Sequence, residues 1–437
     1  MMRASATRFP GTTLAAHVLA ALLAATSLYG QEQEEETYRE GQVPGLNRAA
    51  SKIFFSEEGW SASLIGEFNG AFPVGGERDK SSGDIELYYA GLGRLTGYLG
   101  ARLAPNIAVT AEVQIEYLVD DEGNEKTNFN PELYFDYLGN EHVNSRFGLA
   151  PLHIGYINNN DEPVLFYSVN RPETERLIIP TEWIEMGLHF YGQITKDWNY
   201  AFAFTNGPDA GEFKGPTWIR GGKEGRWDLQ HINLNPKIEF TGLPHTVVSL
   251  SGYFGKTGQN KKIHGMNGEQ LTVNAPISLL SGFVRWHRRP LTVLAMGAYG
   301  HLGETDRIFE LTKEEQGKGQ VVGEDTYGFY VEAGYDLLHL FPGLRAKKSN
   351  WLINAEEMEL PVFFRFERLD THASVLEEFQ GTDFARSNLA TFLVGLNFKA
   401  SEKLVLKASY QLRENLSAPP DSPADADLFE IGLGFSF

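Results

Sequence analysis

Along 107–117 the chain alternates strictly, with Ile107, Val109, Ala111, Val113, Ile115 and Tyr117 on one side of an extended strand and Thr110, Glu112, Gln114 and Glu116 on the other. Two carboxylates and a glutamine on one face demand water, because an unpaired charge in an apolar core is too costly. The opposite face carries no charge. The pattern recurs at 60–72, 184–194, 198–205, 232–240, 280–286, 327–337, 360–366, 392–398, 404–410 and 428–437, and helical spacing is nowhere comparably sustained. Such a chain predicts sheet that is wet on one face and apolar on the other. Its 46 Gly, 29 Phe and 18 Tyr in 437 residues, with a mean hydropathy of −0.28, suit a barrel whose strands meet lipid outside and water inside. Cysteine is absent, which excludes disulfides and thiolate metal sites. A formal charge of −19 makes nucleic acid a poor partner.

The segments number about 16, which predicts an all-β fold, a transmembrane antiparallel β-barrel embedded in a lipid bilayer. Short connections are expected at 104–106, 196–197, 242–245, 288–290 and 400–402, and long polar ones at 71–83, 119–130, 152–182, 207–228, 256–277, 302–326, 369–387 and 415–426. That near-alternation is the asymmetry between tight periplasmic turns and larger outer loops. The segment 339–350 is long for a turn and leaves the strand count open by two. Residues 1–30, with Arg3, Arg8 and an apolar run ending at Leu28, read as a signal peptide. Residues 31–59 read as an acidic periplasmic tail, and 60–437 as the barrel. The final strand sends Phe429, Ile431, Leu433, Phe435 and Phe437 to one face and Glu430, Gly432, Gly434 and Ser436 to the other. A terminal strand ending in Phe437 resembles the assembly signal of bacterial outer-membrane barrels, which implies the barrel assembly machinery as a partner and the outer membrane as the location.

The connection 152–182 is too long and too apolar to lie open in water. Folding back into the lumen would bury Leu165, Phe166, Leu177, Ile178 and Ile179. It would hold Asn158, Asn160, Asp161, Arg171, Glu173, Glu175 and Arg176 across the channel as a constriction, with Arg171 and Arg176 facing Glu173 and Glu175. A cap over the mouth or a subunit contact is the alternative. Period two puts Glu112, Glu116, Glu185, Arg285, Arg365, Glu367 and Lys407 on the lumen wall, with His189 as a lone inward histidine. No metal-ligand cluster, phosphate loop or nucleotide fingerprint is present, so no cofactor is expected. An enzyme would need a nucleophile beside a base, and His372-Ala373-Ser374, expected in a polar outer loop, is weak ground for a phospholipase-like site. A surface adhesin or structural anchor would need the lumen plugged. A porin is therefore the leading reading.

The runs EPVLFYSVNRPETERLIIPTEWIEMGLHFYG (162–192), PVFFRFERLDTH (361–372) and GLNFKASEKLVLKASYQ (395–411) resemble the phosphate-selective porin O and P family of Gram-negative outer-membrane porins. The opening AASKIFFSEEGWSASLIGEFN (49–69) is similar to the first-strand region of that family. The resemblance implies a homotrimer of barrels of about 16 strands, each with a lumen-folded loop passing small anions such as phosphate or other small hydrophilic solutes. The chain departs from the family pattern in lacking a dense ladder of Arg and Lys. Its wall sets Glu112, Glu116, Glu185 and Glu367 beside Arg102, Lys237, Arg285, Arg365, Lys399 and Lys407. A weak anion preference, decided by local charge at the constriction, is what these residues predict.

Overall fold

The computed structural model describes residues 59–76, 89–223, 231–264, 269–381, 384–417 and 426–437. The expected signal peptide and nearly all of the expected tail lie outside these residues. Strands form at β1 (Trp60–Val74), β2 (Tyr89–Ala104), β3 (Ile107–Asp120), β4 (Glu125–Leu138), β5 (Asn144–Pro151), β6 (Ile184–Thr195), β7 (Trp198–Thr205), β8 (Asn233–Leu243) and β9 (Thr246–Lys256). After a small hairpin, β10 (Lys262–His264) and β11 (Gln270–Thr272), come β12 (Pro276–Arg288), β13 (Leu291–Leu302), β14 (Asp325–Asp336), β15 (Pro361–Ser374), β16 (Asn388–Ser401), β17 (Leu404–Asn415) and β18 (Asp427–Ser436). All but the hairpin join one antiparallel ring of 16, closed by β1 against β18 through pairs such as Phe68 with Leu433. The fold class was legible in the sequence, and closure settles the strand count.

Alternation is the reason these segments are strands. On β3, Glu112 and Gln114 are buried while Val113 and Ile115 are exposed. The exposed set around the ring includes Phe68, Leu99, Phe135, Leu250, Leu280, Phe329, Phe364, Phe392 and Ile431, an apolar belt that only a bilayer satisfies. No described helix is long and apolar enough to cross a membrane.

Three expectations about connections need correction. The segment 119–130 is not a long loop: β3 and β4 continue to Asp120 and from Glu125, joined by a turn in which Asp120 accepts from Glu122 N, Asn124 N and Asn124 Nδ2 and Gly123 takes φ +82°. Polar Asn128 and Asn130 disguised the strand because they sit on its lumen side. His372-Ala373-Ser374 belongs to the end of β15 rather than to an outer loop. The connection after β13 contains a helix, α1 (Thr305–Gln316), whose Ile308, Leu311 and Thr312 are buried and which Gly317 ends with φ +74°. Its short apolar stripe is too brief to stand out among the acids on its other face.

The two ends of the barrel differ. At one, the connections are 105–106, 139–143, 196–197, 244–245, 289–290, 337–360 and 402–403. At the other they are 75–88, 121–124, 152–183, 206–232, 257–275, 303–324, 375–387 and 416–426. Shortness marks the first as the periplasmic end, and 337–360 is its outlier.

Candidate functional site

The connection between β5 and β6 crosses the lumen. In the ring, β15 and β16 lie half-way round from β5 and β6. Yet Thr174 N donates to Glu367 Oε1 of β15 at 2.6 Å, Arg365 Nη1 of β15 donates to Ser168 Oγ at 2.6 Å, and Asn397 Nδ2 of β16 donates to Tyr167 O at 2.8 Å. Lys407 Nζ of β17 donates to Ser168 O at 2.9 Å and lies 3.7 Å from the centre of the Phe166 ring. On β18, Ser436 Oγ donates to Glu162 Oε2 at 2.9 Å, and Asn170 Nδ2 donates to Glu430. The wall makes room with glycine. A Cβ on Gly334 of β14 would come within 2.4 Å of the Tyr167 ring, and one on Gly434 of β18 within 2.5 Å of Pro163. Inward glycines are thus where the crossing chain approaches most closely.

Two charge clusters tie the crossing down. In the first, Arg94 of β2 donates to Asp161 Oδ2 at 2.6 Å, to Glu67 Oε2 at 3.2 Å and to Glu182, while Arg171 donates to Glu182 Oε1 at 3.0 Å and Glu67 Oε1 at 3.4 Å. In the second, Glu173 Oε1 receives Arg413 Nη1 at 3.0 Å and Arg176 Nη1 at 3.2 Å. The expected pairing of both arginines with Glu173 and Glu175 therefore holds only for Arg176 with Glu173. Glu175 instead accepts from Ile157 N at 3.1 Å, Tyr156 N at 3.2 Å and the Tyr330 hydroxyl at 2.9 Å, holding the two arms of the loop together. Asn158 is also a staple: its Nδ2 donates to Leu152 O at 2.8 Å and its Oδ1 accepts from Trp183 N at 2.6 Å. Asn160 Nδ2 bonds Tyr156 O at 2.8 Å within the loop.

The wall residues face inward as period two requires. Arg365 also meets Glu332 Oε2 at 3.4 Å and Glu367 Oε2 at 3.8 Å. Glu185 accepts from Trp183 Nε1 at 2.9 Å, Tyr253 OH at 3.0 Å and Gly207 N at 3.1 Å. Arg285 lies on the inward parity of β12. Glu116 lies nearest Asn128 Nδ2, at 3.4 Å. His189 is not alone: its Nδ1 is 3.0 Å from His153 Nε2 at the start of the crossing. Glu112 stands directly opposite Glu132 across β3 and β4. These two, with Tyr98, Tyr134, Pro151, Asn158, Asn159, Asp161, Glu182 and Ile184, line one cleft. His372 Nε2 contacts Val321 O at 3.0 Å and its Nδ1 contacts Thr371 Oγ1 at 2.9 Å, while Ser374 Oγ donates to Asp325 Oδ2 at 2.5 Å, so the histidine does not serve that serine.

The sequence reading missed the contribution of the connection after β7. Trp218 and Ile219 join Leu152, Ile154, Ile178, Ile179 and Trp183 in one buried apolar cluster. Arg220 Nη1 donates to the carbonyls of Arg176 and Thr181, both at 2.9 Å, and Lys223 Nζ to that of Glu182 at 2.8 Å. Arg94, Glu132 and Arg413 were missed too, although each is a polar residue on the inward parity of its strand.

No family model matches the chain. An uncharacterized protein of Aquifex aeolicus (strain VF5) is 28% identical over 404 residues, covering 90% of this chain and 83% of that one. Among solved structures, Salmonella typhi OmpF in complex with daunomycin aligns over 88% of this chain and 99% of its own with a TM-score of 0.50 at 8% identity. An anion-selective porin from Comamonas acidovorans aligns over 86% and 100% with a TM-score of 0.45 at 10% identity. The likeness to OmpF is one of fold. A closed antiparallel ring of 16 strands with an apolar outer belt is the architecture of the bacterial outer membrane, and that membrane is where this chain resides.

Proposed function

We propose that this barrel is a porin, a passive path for small hydrophilic solutes and ions, and that the connection 152–182 forms its constriction. The observation that carries the reading is the hydrogen bonding of Ser168, Tyr167 and Thr174 to strands half-way round the ring, which draws the loop across the lumen. A barrel of this strand number encloses water unless plugged, and a crossing loop narrows that water without replacing it. The narrow part would be built from Asp161, Arg171, Glu173 and Arg176 against Glu67, Arg94, Arg365, Glu367 and Lys407. Homotrimer formation and delivery through Phe437 to the barrel assembly machinery complete the proposal.

The finer expectation, a preference for anions such as phosphate, has less support. Its cations Arg171, Arg176, Arg365 and Lys407 are engaged with carboxylates or loop oxygens, and Asp161 and Glu182 are held in turn by Arg94 and Arg171, so the acid excess of the cleft is the facing pair Glu112 and Glu132. We infer a weak preference for cations. Conductance of the refolded protein in planar bilayers tests the porin, since an enzyme or an anchor needs no steady current. A reversal potential in a salt gradient tests the selectivity separately, and clear anion preference would overturn that part alone.

A further inference from the structure

The periplasmic outlier 337–360 has chemistry unlike the rest of the chain. Between Leu340 and Leu352 it carries Arg345, Lys347 and Lys348 and no acid, within a protein of net charge −19. In the same stretch Leu340, Phe341, Leu344 and Trp351 are 58%, 55%, 60% and 86% exposed. The segment is nevertheless built. Arg345 Nη1 donates to the carbonyls of Ala355 at 2.9 Å and Met358 at 3.1 Å, Asn350 Oδ1 accepts from Leu352 N and Ile353 N at 2.8 Å each, and Leu338 and Met358 are buried beneath. Downstream, Glu359 is matched by Arg289 and by Lys399 at 3.6 Å, and Glu357 Oε2 accepts from Glu402 N at 3.1 Å. The segment also joins the lipid-facing belt. The ring of His339 packs on Tyr335, which points outward from β14 opposite Val362, two residues before the outward Phe364 of β15, itself 60% exposed.

We propose that 340–352 is an interfacial anchor that lies on the periplasmic leaflet. Trp351, Phe341, Leu340 and Leu344 enter the headgroup boundary, and Lys347 and Lys348 meet the phosphates of anionic phospholipid. Tryptophan and basic residues flanking apolar ones have this preference because their rings and stems are apolar and their polar tips are wet. A lipid partner is favoured over a second copy of this chain by continuity with the belt that already meets lipid.

The chain has no cysteine, so Trp351→Cys carries a single nitroxide in the full-length protein. It is reconstituted in phosphatidylethanolamine vesicles with or without phosphatidylglycerol, with Leu280→Cys as the lipid reference and Asp121→Cys as the water reference. Collision with oxygen against collision with a nickel chelate should group position 351 with 280. Removing phosphatidylglycerol, or adding Lys347→Glu with Lys348→Glu, should move it toward water by roughly fivefold per lost contact in the in-to-out ratio. Nickel accessibility matching position 121, insensitivity to both charge changes, or spin–spin broadening that reports a second copy would each overturn the proposal.

Discussion

Two irregular connections, 152–183 and 337–360, are both rich in large apolar residues, and they treat them in opposite ways. In the first, Leu152, Ile154, Ile178 and Ile179 are fully buried, packed with Trp183, Phe213 and Trp218. In the second, the apolar side chains of 340–352 point away from the protein. The difference follows from which solvent each meets. A loop inside a water-filled ring must cover its own hydrocarbon with other loops and offer its polar groups to the polar wall, as Ser168, Thr174 and Arg171 do. A loop outside the ring next to the belt can leave hydrocarbon uncovered. Apolar content alone therefore does not tell a constriction loop from an anchor, and the wall residues facing it do.

Deletion tests that contrast most strongly. Removing 158–176 should raise single-channel conductance severalfold with the barrel still heat-modifiable on a detergent gel, whereas removing 340–352 should leave conductance unchanged. Equal conductance in both would deny the loop its role as constriction. The same inside-outside logic applies to neighbouring positions on one strand: Val113→Arg places a cation in the belt and should cost about 2–4 kcal/mol in urea unfolding from vesicles, while Gln114→Lys on the lumen side, beside the carboxylates of Glu116 and Glu182, should cost less. Comparable losses at both would mean that β3 does not face lipid and water as described. Glu175→Ala leaves Tyr156 N, Ile157 N and Tyr330 OH without their acceptor, and it should weaken loop docking by about 1–3 kcal/mol, read as faster proteolysis within 152–182. Gly334→Leu should act similarly by displacing Tyr167.

Charge gives a smaller effect. Glu112→Gln with Glu132→Gln should shift the reversal potential toward anions, and no shift would remove the cleft from the path of ions. The smallest effect is expected at Trp351→Ser, which should change stability in detergent by less than about 0.5 kcal/mol because the ring touches little protein.

What the sequence determined by itself is the sheet and its two faces. Period two in β3, β6 and β18 assigned Glu112, Glu185, His189 and Glu430 to the lumen without any coordinates, because side-chain direction in a strand depends only on parity. It also located the longest irregular connection at 152–182, since apolar residues without a period have no strand to join. Where such a loop goes is a different kind of question. That Arg94 gathers Asp161 and Glu182, that Glu175 braces its own loop instead of pairing with an arginine, and that Trp218 comes in beside Ile178 depend on contacts between residues far apart in the chain. Closure of the ring sets β15 across from β5, and inward glycines at 334 and 434 leave space for the crossing chain. Local patterning carries no information about that distance, so only the tertiary structure decided it.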